Sequence, residues 1–152
     1  MLKSKKYLNI KNITGGWRAR RVVIDKLTGQ TSSYIGEMQI TNRDDKINET
    51  SKMESHFFCL KERGVLTNNG KNYPFSQQYC LNLFATHCNV LFRDQLLFFQ
   101  FKRVAEKQDI NHLCGLDRYL GRIIFINETS FSLTFTVSGP SKFYYLKILY
   151  NR

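Results

Sequence analysis

From Ser130 to Ser138 the chain reads Ser-Phe-Ser-Leu-Thr-Phe-Thr-Val-Ser, hydroxyl and apolar side chains alternating without a break. A helix, whose faces recur every 3.6 residues, cannot sort such a pattern, whereas a strand points successive side chains to opposite faces. One face of this segment is built for a core and the other for water. Looser alternation recurs over 118–126, with Tyr119, Gly121, Ile123 and Phe125 on one face, and over 142–152, with Tyr144, Leu146, Ile148 and Tyr150 on one face. Asn127-Glu128-Thr129 between two such runs reads as a hairpin turn. Near the start, runs over 17–24 and 31–40 flank the turn signal Leu27-Thr28-Gly29-Gln30. The middle supplies strands near 52–61, 73–84, 86–92 and 95–103, with Asn68-Asn69-Gly70 and Arg93-Asp94-Gln95 as turns.

Consecutive strands with short connections leave two open edges unless the sheet closes on itself. The expectation is therefore an all-β, up-and-down antiparallel barrel of eight or nine strands, one domain over residues 1–152 that opens with a basic arm over 1–14. Residues 3–14 read as an extended arm or a turn or two of helix, stopped by Gly15-Gly16. Aromatic residues make up 14% of the chain, which fits strands better than helices. Leu96-Leu97-Phe98-Phe99-Gln100-Phe101 is apolar on both faces and reads as a buried strand.

The chain carries a formal charge of +11, and up to Lys26 it holds eight basic residues against the single acid Asp25. Such a field suits a polyanion or simply a solvated surface. The four cysteines, Cys59, Cys80, Cys88 and Cys114, form no C-x-x-C pair, so neither a zinc ribbon nor a thioredoxin-type motif is present, and buried thiols are expected. The opening MLKSKKYLNI lacks the apolar core of a signal peptide, and no apolar run approaches the ~20 residues of a membrane span, so the expected location is cytoplasmic.

Gly15-Gly16-Trp17 ahead of the first strand resembles the G-x-W signature of lipocalin-like (calycin-type) barrels. Further residues extend the likeness: Gly36, Glu62 and Gly64, Tyr79, Phe92 with Asp94, then His112-x-Cys114-x-x-Asp117-x-Tyr119, Gly139-Pro140-x-Lys142 and Tyr150-x-Arg152. In this order they resemble an uncharacterised family of small lipocalin-like domains of unknown function, from about Gly15 to the C-terminus. The chain departs from that pattern at Gln95, where the family favours glycine. The resemblance implies a lipocalin-like barrel and no particular activity. It also implies that one end of the barrel is closed by Arg152 covering Trp17, a contact contributing about 0.5–2 kcal/mol depending on desolvation. The alternative is that Arg152 is a frayed last residue.

The segment from His112 to Tyr119 gathers the most varied chemistry. His112, Cys114 and Asp117 suit a transition metal, or a thiol activated by imidazole. The plainer reading is a loop held by His112 and Asp117, with Cys114 buried. Lys142 follows a Gly-Pro turn with inward parity, either as a point-charge anchor for a carboxylate or phosphate or as a solvated strand end. Tyr119 and Tyr144 point inward and need polar partners or a ligand.

The leading expectation is a non-catalytic module that holds a small apolar or amphiphilic molecule inside the barrel, oriented by His112, Cys114, Asp117, Tyr119, Lys142 and Tyr144. No cofactor, resident metal or oligomeric state is specified by the sequence. Alternatives are an enzyme using His112, Cys114 and Asp117 with Lys142, a haem carrier with His56, His87 or His112 as axial ligand, and a nucleic-acid or anionic-surface binder using the basic N-terminal region.

Overall fold

The computed structural model describes residues 13–43, 56–103 and 107–152. Within them it forms ten strands: β1 (Gly15–Asp25), β2 (Thr31–Asn42), β3 (His56–Asn68), β4 (Lys71–Leu83), β5 (His87–Phe92), β6 (Leu97–Lys102), β7 (Lys107–Cys114), β8 (Asp117–Asn127), β9 (Ser130–Ser138) and β10 (Phe143–Asn151). They make one sheet in the order β6-β5-β4-β3-β2-β1-β10-β9-β8-β7, every neighbouring pair antiparallel. β1 and β10, the strands farthest apart in sequence, are zipped from Arg18 opposite Asn151 to Asp25 opposite Tyr144.

The sheet comes back to itself between β6 and β7, which share no backbone ladder. Gln108 bridges that seam with its side chain: its amide oxygen accepts from the Lys102 N–H at 2.6 Å, and its amide nitrogen donates to the Lys102 carbonyl at 2.6 Å. A primary amide offers the same donor and acceptor as a peptide group, so one side chain answers both orphaned groups of an edge residue. The product is a nearly closed up-and-down barrel.

Ten strands replace the eight or nine expected, and the additional one is β7. Its inward positions are Gln108, Ile110 and His112, of which Ile110 alone is fully buried. Two polar residues on the inner face hide the alternation that reveals the other strands. His112 and Cys114 therefore lie on a strand, not in the expected loop, and Gly115 and Leu116 make the turn into β8. Of the expected N-terminal arm, residues 1–12 lie outside the described residues, as do residues 52–55 of the strand expected over 52–61.

The apolar run 96–101 is explained by a bulge. Val90 pairs with Phe99 and Leu91 with Leu97, leaving Phe98 as the extra residue, so Phe98 and Phe99 both reach the interior. Leu96 and Leu97 are exposed, which corrects the expectation of burial for that end of the run. The turn before them holds Gln95 at φ 73°, a left-handed conformation that accounts for glycine being favoured there. Between β3 and β4 the left-handed pair Asn69 and Gly70 makes the tight reversal that an Asn-Gly dipeptide predicts.

Up-and-down order fixes the ends of the barrel. The connections β1–β2, β3–β4, β5–β6, β7–β8 and β9–β10 share one end, here the upper, while β1 begins and β10 finishes at the lower. The core fills the interior with Trp17, Tyr34, Met38, Phe58 and Val137 among its most buried members. Gly36 makes room for one of them, because a Cβ there would collide with the Tyr34 hydroxyl.

Candidate functional site

At the lower end Trp17 is buried, its indole N–H donating to the Ile13 carbonyl at 2.9 Å. Phe131 meets its edge at a centroid distance of 5.2 Å. The Arg152 guanidinium carbon lies 4.2 Å from the ring centroid, and the group donates to the Thr14 carbonyl at 2.7 Å. Arg152 is also held through its backbone N–H, which donates to the Thr129 carbonyl at 3.0 Å.

Above this floor the interior holds a cavity of about 350 Å³, walled mostly by Leu, Ile and Phe side chains. Among the described residues that line it, Cys114 alone is exposed, which puts the mouth at the upper end beside the β7–β8 turn.

One wall is polar. Inward alternation from Trp17 carries Ala19 and then Arg21 into the interior, and Arg21 lines the cavity. Its guanidinium lies 5.4 Å from the Tyr34 ring centroid and 5.1 Å from that of Phe75, and Nη2 meets Glu62 Oε2 at 3.2 Å. Glu62 is 1% exposed. Gln77 Nε2 donates to the same oxygen at 2.8 Å, and the Tyr79 hydroxyl donates to Gln77 Oε1 at 3.3 Å. Burial pushes the Glu62 carboxyl above its ordinary range, opposed first by the Arg21 charge and then by the nearby Tyr150 hydroxyl and the Gln77 hydrogen bond. Burial likewise raises Tyr79, and it raises Tyr150 further with the help of the Glu62 charge. Glu62 Oε1 and Arg21 Nε are buried and find no hydrogen-bond partner among the described residues.

The residues singled out from sequence divide. Tyr119, Tyr144 and Cys114 line the cavity, and burial together with neighbouring Tyr119 raises the Tyr144 phenol to about 12. His112 is half-buried, its ring 5.3 Å from Phe98, 5.8 Å from Phe92 and 5.9 Å from Tyr119 between centroids. Lys142 and Asp117 form an ion pair at 3.0 Å on the rim, which raises the lysine's pKa first through the hydrogen bond and then through the charge. Neither lines the cavity, and of the two readings open for Lys142, an anion anchor or a solvated strand end, it is a half-exposed strand end paired with Asp117. Cys114 is exposed, correcting its expected burial; of the other thiols Cys59 and Cys88 are buried and Cys80 is half-buried.

Among the described residues no hydrogen bond joins His112 to Cys114 or Asp117, and no group of three or more His, Cys, Asp and Glu could hold a metal ion. Arg18 and Arg20 point outward and Arg21 inward, so the basic residues of β1 do not share one face, while Lys3, Lys5, Lys6 and Lys11 lie outside the described residues. Among the described residues no helix is long and apolar enough to cross a membrane.

A family model matches residues 13–152. The chain belongs to DUF6314, a family of unknown function. Among curated proteins none matches this DUF6314 chain in sequence. Its fold is similar to that of the S-type phycobiliprotein lyase CPES from Guillardia theta, at 12% identity and a TM-score of 0.59, over 92% of this chain and 86% of that one. It is also similar to a protein of unknown function from the DUF3598 family of Nostoc punctiforme, at 11% identity and a TM-score of 0.56, over 97% of this chain and half the length of that one. At such identities the likeness establishes a shared lipocalin-like barrel and leaves function to the site itself.

Arg21, Glu62, Gln77 and Tyr79 were not reached as a site by sequence reasoning. Arg21 sits inside a run of basic residues and reads as surface charge, yet its parity with Trp17 places it inside. Glu62 and Tyr79 appear in the family pattern without an assigned role.

Proposed function

We propose that the barrel is a binding module for one small, largely apolar molecule with a single polar end. The polar end meets Arg21, Gln77 and Tyr79, with Glu62 behind them as the partner of Arg21 and Gln77, while Tyr119, Tyr144 and Cys114 contact the part nearer the mouth, and His112, Asp117 and Lys142 shape that mouth. The observation that carries this reading is an interior cavity of about 350 Å³ whose apolar walls are interrupted by one polar group cluster. Ligand pockets have this character, a greasy enclosure with a few convergent polar groups, and span about 300–1,000 Å³. This one is at the small end, equivalent to about a dozen waters of liquid, so the ligand is compact. Buried donors and acceptors without partners inside the protein are costly, and a ligand's polar end relieves that cost.

The test fills the cavity. Leu133→Trp, and the milder Leu146→Phe, reduce the space without adding charge. Wild-type protein is expected to enhance the fluorescence of anilinonaphthalene sulfonate and to release a small molecule when purified from its own host and denatured in a mass spectrometer. Both signals disappear in whichever variant keeps the wild-type circular dichroism. Dye enhancement unchanged by filling, with only bare chain from the host, would overturn the reading.

A further inference from the structure

The upper end of the barrel is unlike a solvated set of hairpin tips. All five of its connections lie within the described residues, and each carries or adjoins an exposed large apolar side chain. Leu27 is 65% exposed in the β1–β2 turn, Leu96 is 65% exposed with Leu97 beside it after β5, and Leu116 is 81% exposed between β7 and β8 with Leu113 close by. Tyr73 and Phe143 do the same beside the two remaining turns. Twelve large apolar residues are exposed in the described chain, and these seven of them sit at one end. Single exposed apolar residues need no explanation, but a ring of them does.

Each tip also carries a cation: Lys26 before Leu27, Lys71 before Tyr73, Arg93 before Leu96, Arg118 after Leu116 and Lys142 before Phe143. The carboxylates at this end are Asp25, Asp94 and Asp117, three against those five, and all three are occupied locally. Asp25 accepts from the N–H groups of Leu27 and Thr28, Asp94 accepts from that of Leu96, and Asp117 pairs with Lys142.

We propose that this ring docks the protein on an anionic lipid surface. Apolar side chains on separate tips enter the acyl boundary without needing a complementary protein groove, and Lys26, Lys71, Arg93 and Arg118 beside them meet lipid phosphates, Lys142 being paired with Asp117. Leu113 and Leu116 flank Cys114, the exposed member of the cavity lining, so docking faces the cavity mouth toward lipid. The docking does not depend on what the cavity holds, and it is measured without a ligand.

The test is cosedimentation of the full chain with vesicles of equal parts phosphatidylcholine and phosphatidylserine, compared with pure phosphatidylcholine. The wild type is expected to sediment with the mixed vesicles, more weakly at high salt, and poorly with the neutral ones. Leu113→Ser with Leu116→Ser removes two side chains already in water, so the fold is retained by circular dichroism while lipid affinity falls about tenfold or more. Ile126→Ser, which removes an exposed apolar residue at the lower end, leaves affinity unchanged. Failure to sediment, equal binding to neutral vesicles, or binding indifferent to the Leu113 and Leu116 changes each overturns the proposal; the last outcome assigns the attraction to basic residues alone.

Discussion

Among the described residues two guanidinium groups rest on aromatic rings. Arg152 covers Trp17 at 4.2 Å on the lower end, exposed to water, and donates to a backbone carbonyl. Arg21 lies over Tyr34 and Phe75 inside the barrel, with its side chain 13% exposed and a carboxylate at 3.2 Å whose own side chain is 0% exposed. The ring contacts are alike, and the surroundings decide what each is worth. Arg152 keeps its hydration, so its contact adds a little and costs little. Arg21 and Glu62 have given up water, and the cost is offset only while each supplies the other with charge and hydrogen bonds. A contact of the first kind closes a structure. One of the second kind, with Arg21 lining the cavity and its Nε unpartnered among the described residues, is where the polar end of the proposed ligand gains by entering.

The largest effect expected from this difference follows Glu62→Ala. It strands a buried guanidinium, and breaking a buried pair from one side costs about 3–5 kcal/mol. Urea unfolding followed by circular dichroism measures it. The double change Arg21→Met with Glu62→Leu removes both charges and restores stability to near the wild-type value or above. A loss below about 1 kcal/mol for Glu62→Ala would mean the pair behaves as a surface pair, and the contrast with Arg152 would vanish.

A second contrast appears with pH. The Glu62 carboxyl is raised from its ordinary value of 4.5 by burial. Below that value both the folded and the unfolded chain hold the proton, and the group's contribution is fully present. As pH rises above it, the unfolded chain releases its proton first, so the folded state loses stability until its own carboxyl ionises. Glu62→Gln removes this fall, and the difference between the wild-type and variant stability curves therefore slopes downward from about pH 4.5. Arg152 has no carboxylate partner among the described residues, and Arg152→Ala shifts the curve without changing its slope in that window. Parallel wild-type and Glu62→Gln curves would contradict the assignment.

The two arginines also differ in how far sequence reveals them. Arg152 shares parity with Tyr144, Leu146, Ile148 and Tyr150 on a clean strand, and the resemblance carried by Gly15-x-Trp17 supplies its partner, so parity and family likeness together reach the pair. Arg21 follows Arg18 and Arg20, and a basic cluster reads as surface. Its distance of four from Trp17 is the signal that turns it inward, and nothing local says that Glu62, forty-one residues away, comes to meet it. The barrel class was legible for the same reason as Arg152, since strict alternation admits few alternatives. β7 was not, because an inner face bearing Gln108 and His112 breaks the pattern on which such reading rests. Lys142 and Asp117 were both visible as charged residues, but their pairing depends on bringing the starts of β8 and β10 together across β9. Parity places a side chain on a face. It does not say which distant residue answers it.

The smallest effects belong to Arg152 itself, and they test whether the lower end is as wet as its geometry indicates. At an exposed site a cation over an aromatic face is worth about 0.5–1 kcal/mol, and the Thr14 hydrogen bond adds a modest share, so Arg152→Ala costs about 1 kcal/mol in urea unfolding. Arg152→Lys keeps the charge but loses the flat group that lies along the indole, and costs a few tenths of a kcal/mol, about half the alanine effect or less. Trp17 is the only tryptophan, so its emission reports the same event directly. Uncovering the ring in Arg152→Ala admits water and shifts emission to the red, whereas Arg152→Lys shifts it less. A stability loss for Arg152→Ala as large as that for Glu62→Ala would show the lower closure to be dry, and the two guanidinium sites would then be one device used twice.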